Sequence, residues 1–166
     1  MVIQRLGPHH DRAAFACGEE ALDRYLRQQA RQDADRSLGV TYVATERQGD
    51  PAILGYYTLT MSCLQPETVP EKRIPPKRAV PTVLLGRLAV GQNAQGRGLG
   101  EILLMDALRR SVALSERVGS FAVVVDALHE KARSFYLRYG FRELGDGRLH
   151  LYLTINDIKK MDLTQT

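Results

Sequence analysis

Two nearly unbroken apolar runs, TVLLGRLAV at 82–90 and SFAVVVDA at 120–127, limit this chain more than any other feature. A strand with one wet face alternates apolar and polar side chains. A strand covered on both faces reads as a continuous Val, Leu and Ala run. Between the two lies GLGEILLMDALRRSVALSERVG, a long helical pattern with Gly119 as its expected stop. Doubly covered strands on either side of a helix call for an α/β or α+β fold with a mixed, central sheet.

The rest of the chain supplies the flanks. VIQRL opens with a strand, and CGEEALDRYLRQQARQDADR reads as one helix whose Leu22, Tyr25, Leu26 and Ala30 face a core. GVTYVATE and AILGYYTLTMSCL are strands joined by the turn RQGDP. Residues 65–81 hold five of the seven prolines and form an irregular loop. EKARSFYLRYG is a short helix ended by Gly140, and HLYLTI is a last strand.

A length of 166 residues suits a single domain, 1–166. No apolar run approaches the roughly 20 residues of a membrane span, and the N-terminus lacks a signal-peptide core. Cys17 and Cys63 are too few for a disulfide framework. These features point to a cytoplasmic protein with reduced, structural, buried cysteines. The net charge of +4 and pI of about 9.2 are compatible with an anionic partner, RNA or a phosphorylated cofactor among them.

The stretch QGRGLG, Gln95 to Gly100, sits between the first buried strand and the long helix. A dinucleotide fingerprint would need glycine at 101, where the chain has Glu101, and no phosphate-loop Lys-Ser/Thr pair follows. What remains is Q-x-x-G-x-G opening a helix. Glycines let backbone approach a phosphate, and the helix N-terminus adds N–H donors and partial positive charge. A pyrophosphate is the expected guest.

On these residues the chain resembles the GNAT N-acetyltransferases. LLGRLAVGQNAQGRGLGEILL is similar to that family's strand 4, acetyl-CoA pyrophosphate loop and helix 3. SFAVVVDALHEKARSFYLRYGF is similar to its strand 5 and helix 4. The resemblance implies a GNAT fold, with a mixed, mostly antiparallel twisted sheet flanked by helices. It implies acetyl-CoA as co-substrate, with no metal. The backbone N–H groups of Arg97, Gly98, Leu99 and Gly100, in a loop that includes Gln95 and Gly96, would hold the pyrophosphate. The backbone of Leu88, Ala89 and Val90 would pair with the pantetheine arm. One departure is His129, where many members carry Asn; it reads as a surface residue near a helix N-cap.

Acetyl transfer to an amine needs a neutral amine, a stabilised oxyanion and a proton for the departing thiolate. Tyr136 stands where the family usually places a tyrosine near the coenzyme sulfur, which implies a general acid. A phenol with a pKa of about 10 keeps its proton at neutral pH. Tyr139 fits a packing role better. Glu46, Glu67, Glu101 and Asp126 are undistinguished candidates for a base. An α-amine with a pKa of about 7.7–8.0, unlike a lysine near 10.4, needs little help in losing its proton. That contrast favours an aminoacyl or N-terminal amine.

Within the family, FACGEEALDRYL, GYYTLT and LLGRLAV leading into QGRGLG resemble the toxins of toxin–antitoxin modules. That likeness implies acetylation of the α-amine of aminoacyl-tRNA, inhibition of translation, and a ribbon–helix–helix antitoxin; a homodimer is also compatible with it. Basic residues are available for RNA: Arg24, Arg27 and Arg31 on the first helix, Arg109, Arg110 and Arg117 on the long one, and Lys72, Arg73, Lys77 and Arg78 in the proline-rich loop. Arg87 interrupts an apolar strand, where a lone buried charge is costly. It should meet an anion, coenzyme or RNA, unless a carboxylate pairs with it. The alternatives are a GNAT enzyme of small amines or protein N-termini, and a non-catalytic module binding acetyl-CoA or a partner.

Overall fold

The computed structural model describes every residue except 72, 73, 75, 76, 162 and 164–166. In chain order its elements are β1 (Val2–Arg5), α1 (Glu20–Gln28), α2 (Ala30–Asp35), β2 (Val40–Thr45), β3 (Gly55–Leu64), β4 (Val80–Val90), α3 (Leu99–Ser115), β5 (Ala122–Asp126), α4 (Glu130–Arg138), β6 (Arg142–Leu144), β7 (Gly147–Thr154) and α5 (Ile155–Lys159). The strands form one seven-stranded sheet in the order β1-β2-β3-β4-β5-β7-β6. β1, β2 and β3 pair antiparallel, β4 and β5 pair parallel, and β7 pairs antiparallel with both β5 and β6. The mixed sheet with helices is the expected architecture. No described helix is long and apolar enough to cross a membrane.

The chain divides into two compact units. One contains Met1–Thr60 and Gly86–Ala107. Its core gathers Phe15, Tyr25, Leu26, Val43, Tyr56 and Ala89. Tyr56 is fully buried there because its hydroxyl donates to the Leu22 carbonyl at 2.6 Å, which removes the penalty of an unpaired phenol. Gly55 is required by space. A Cβ at that position would lie 2.8 Å from the Ala89 carbonyl oxygen and 2.9 Å from Leu103.

The other unit contains the described residues of Met61–Leu85 and those from Leu108 to Leu163. Its core joins Leu64, Val69, Val80, Ala122, Val124, Leu144 and Tyr152. Val123, Val124 and Val125 are 0–1% exposed, as a strand covered on both faces must be.

Several boundaries differ from the sequence expectation. The first helix is two, broken at Gln29 (φ −120°, ψ −28°). β3 begins at Gly55 rather than Ala52, and α3 ends at Ser115, short of Gly119. β6 and α5 were not expected. β6 is only Arg-Glu-Leu, too short to carry a period, and α5 is a five-residue helix announced only by its cap, Thr154, whose hydroxyl accepts from the Asp157 N–H at 3.1 Å.

Candidate active site

The glycine-rich turn has the backbone that its sequence requires. Gly96 and Gly98 take φ of +85° and +75°, a region L side chains rarely adopt, and a Cβ at either would meet nothing within 4 Å. The space outside the turn is therefore open. Among the described residues, no group accepts a hydrogen bond from the N–H of Arg97, Gly98, Leu99 or Gly100, and the first backbone bond across the helix start runs from Ile102 to Gly98 at 3.3 Å. Unsatisfied donors at a helix N-terminus are an anion site in waiting, and a pyrophosphate fits that donor set. Leu99 is 4% exposed and anchors the turn to the core.

Two side chains of the turn serve the loop itself. Gln95 Nε2 donates to the carbonyls of Val90, at 3.0 Å, and Cys17, at 3.1 Å. Its amide braces the loop against the end of β4, a role the sequence reading did not separate from ligand contact. Arg97 pairs with Glu46 at 3.1 Å and donates to the Asn93 carbonyl at 3.4 Å.

β4 offers a second backbone feature. Its parallel register with β5 ends at Leu85↔Val125, while β4 continues to Val90. Leu88, Ala89 and Val90 lie in this stretch, the place an extended amide-bearing chain could pair.

Tyr136 lies on α4 and is 7% exposed. Phe135 and Phe141 pack edge-on against its ring, with centroids at 5.2 and 5.4 Å. Burial pushes its phenol well above the ordinary range, so it keeps its proton throughout neutral pH. Among the described residues nothing bonds its hydroxyl. Tyr139, expected to be the packing tyrosine, is half-buried at the C-cap of α4 and packs edge-on against Phe135 at 5.1 Å. The helical phase places Tyr136 inward and Tyr139 at the rim.

All four base candidates are exposed, Asp126 among them. Glu46 is engaged by Arg97, and Glu67 and Glu101 are exposed. Asp126, at the end of β5, lies 3.3 Å from His150 Nε2, whose Nδ1 lies 2.9 Å from Asp146. His129 is the N-cap of α4, its Nδ1 accepting from the Ala132 N–H at 3.2 Å. Cys17 is a half-buried free thiol pushed up to about 11, by burial first and Asp23 second, which leaves no thiolate at neutral pH. Cys63, expected to be buried, is exposed, since it points away from the core on the far half of β3.

The basic residues are scattered. Arg24 and Arg27 share Glu20, at 3.9 and 3.1 Å, so the first-helix stripe is partly neutralised. Lys77 and Arg78 are exposed. Lys72 and Arg73 lie outside the described residues. Arg109 donates to the Leu163 carbonyl. Arg87 is half-buried, and among the described residues no carboxylate pairs with it: its guanidinium carbon lies 3.5 Å from the centroid of the Tyr25 ring. An aromatic face was the partner the sequence reading had not considered.

Comparison with known proteins agrees with this geometry. Residues 37–143 match the family model of the acetyltransferase (GNAT) domain. The chain is 34% identical over 159 residues to a tRNA-acetylating toxin of Mycobacterium tuberculosis, covering 95% of this chain and 94% of the relative. Among solved structures, a tyrosine-to-phenylalanine variant of KacT superposes with a TM-score of 0.90 at 34% identity, covering 96% and 97% of the two chains. AtaT complexed with acetyl-methionyl-tRNAfMet gives 0.87 at 32% identity, covering 96% and 97%. A further variant of AtaT, bound to the C-terminus of the antitoxin AtaR and acetyl-CoA, gives 0.81 at 31% identity, covering 96% of each chain. The resemblance to GNAT toxins is thereby borne out across nearly the whole length. An open helix-terminal donor set, a strand that outruns its parallel neighbour and a family match over residues 37–143 converge: the chain belongs to the GNAT acetyltransferase family.

Proposed function

We propose that this acetyltransferase is a toxin that transfers the acetyl group of acetyl-CoA to the α-amine of aminoacyl-tRNA and so blocks translation. The observation that carries the reading is 34% identity, over nearly the full length of both chains, to a toxin named for acetylating tRNA. The whole chain acts as one acetyltransferase domain in the cytoplasm. Its neutralising partner is an antitoxin, as AtaT is bound by one, here of the ribbon–helix–helix type, and the toxin itself pairs as a homodimer.

Acetyl-CoA supplies the acyl group as a thioester. The N–H groups of Arg97, Gly98, Leu99 and Gly100 hold its pyrophosphate, with Gln95 and Gly96 shaping the turn, and the backbone of Leu88, Ala89 and Val90 receives the pantetheine amides. Lys72, Arg73, Lys77, Arg78 and Arg87 serve the RNA.

The amine nitrogen attacks the thioester carbonyl, the C–N bond forms, and the C–S bond breaks as the oxyanion collapses. The nitrogen loses one proton to solvent. The sulfur gains one from Tyr136, which solvent then restores. Both the phenolate and the thiolate are anions in a dry site, so the transfer exchanges one desolvated charge for another. An aminoacyl α-amine is already partly neutral near pH 7–8, which removes the need for a strong base.

Expression in a bacterial host without an antitoxin tests the reading. Growth should arrest, and the arrest should be relieved by Tyr136→Phe. Unimpeded growth at a verified protein level would count against a toxin.

A further inference from the structure

Arg87 is a half-buried cation whose surroundings are unusual. It lies on β4 beside Leu88, Ala89 and Val90, and no described residue accepts a hydrogen bond from its guanidinium. At 3.5 Å from the Tyr25 centroid, an edge-on approach would drive an N–H into the ring. The guanidinium plane therefore lies along the ring face, and its five donors project sideways. A cation in that state has lost part of its water and gained no hydrogen-bond acceptor in return.

Tyr25 is in turn fixed from behind. Its ring is 5% exposed, and its hydroxyl donates to Asp33 Oδ2 at 2.7 Å. In a straight helix, residues eight apart are separated by about 12 Å along the axis, too far for this bond. The break at Gln29 between α1 and α2 makes it possible. Asp33, Tyr25 and Arg87 thus form a chain of contacts leading from α2 through α1 to β4.

We propose that Tyr25, fixed by Asp33, is a positioning residue that holds Arg87 flat and partly desolvated so that its N–H edge grips a phosphate oxygen. The proposal deepens the tRNA-acetylating reading and rests on it for the acceptor. Two phosphates are available, those of acetyl-CoA and those of the charged tRNA.

Five variants decide it: Arg87→Gln, Tyr25→Leu, Tyr25→Phe, Asp33→Ala and the Arg87→Gln/Tyr25→Leu pair. Each is assayed for acetyl-CoA affinity by calorimetry, for KM and kcat with charged tRNA, and for the salt dependence of tRNA binding. Arg87→Gln should weaken one ligand by about tenfold, the loss of a charge-assisted hydrogen bond, with kcat nearly unchanged. If the phosphate belongs to tRNA, the slope of log affinity against log salt should also flatten by about one. Tyr25→Leu should shift the same parameter by a similar factor and add nothing in the Arg87→Gln background, while Tyr25→Phe, which keeps the ring face, should stay within about threefold of the parent. Asp33→Ala sits at a half-buried position and removes only the anchor. It should give a smaller shift in the same parameter, again absent in the Arg87→Gln background, and it decides the matter if Tyr25→Leu does not fold.

Unchanged affinities in Arg87→Gln would overturn the phosphate assignment. Losses at Tyr25 or Asp33 that add to those of Arg87→Gln, or that fall on kcat, would overturn the positioning role. If the parent protein leaves charged tRNA unacetylated, the acceptor reading fails separately, and the acetyl-CoA calorimetry still judges Arg87 and Tyr25.

Discussion

At the scale of single residues, Tyr136 and Thr82 make opposite statements about buried hydroxyls. Tyr136 is buried and unbonded within the described residues, and it is the proposed proton donor. Replacing it by Phe keeps the ring and its contacts with Phe135 and Phe141. Steady-state kinetics should show kcat reduced by about 10²–10⁴, with acetyl-CoA affinity nearly unchanged; parental turnover would mean the sulfur takes its proton elsewhere. Thr82 is also buried, 0% exposed on β4, and its Oγ1 has no hydrogen-bond partner among the described residues. Thr82→Val should raise stability by about 1 kcal/mol, seen as a melting temperature higher by about 2–4 °C. A lower melting temperature would reveal a partner for the hydroxyl. The sequence could mark Tyr136 only through its family position, while Tyr139 packs edge-on against Phe135 at 5.1 Å, in line with the packing role expected of it.

At the scale of elements, the turn from β4 into α3 is the part of the site most legible beforehand. Glycine spacing, an apolar strand before it and a helical period after it are all local signals, and the positive φ values at Gly96 and Gly98 follow from them. Gly98→Ala and Gly98→Asp separate backbone strain from charge. Both must hold a side chain at φ +75°, but only Asp puts an anion beside the unsatisfied N–H groups. Calorimetry should find weakened acetyl-CoA binding for Ala and almost none for Asp; equal binding by parent and both variants would remove the loop from the coenzyme site. Other elements were not legible for stated reasons. The Gln29 break leaves the apolar spacing of Leu22, Tyr25, Leu26 and Ala30 intact, so nothing in the pattern announces it. Arg87's aromatic partner belongs to a different element more than sixty positions away, and long-range pairings of that kind leave no local trace. Asp126 gained its distinction from the others only when β7 brought His150 opposite it.

At the scale of the molecule, the net charge of +4 is too small and too dispersed to identify an RNA partner alone. Glu20 quenches part of the first-helix stripe, and Lys72 and Arg73 lie outside the described residues. Family membership establishes an acetyltransferase, whereas the acceptor rests on likeness to the tRNA-acetylating toxin and on the low pKa of an aminoacyl α-amine. The most direct measurement is to incubate the purified protein with radiolabelled acetyl-CoA and a mixture of charged and uncharged tRNA. Label should appear on charged tRNA alone, and mild base should release it as N-acetyl amino acid. Charged tRNA that stays unlabelled, while peptides or polyamines are acetylated readily by the same preparation, would contradict the proposed acceptor and leave a GNAT enzyme of another amine.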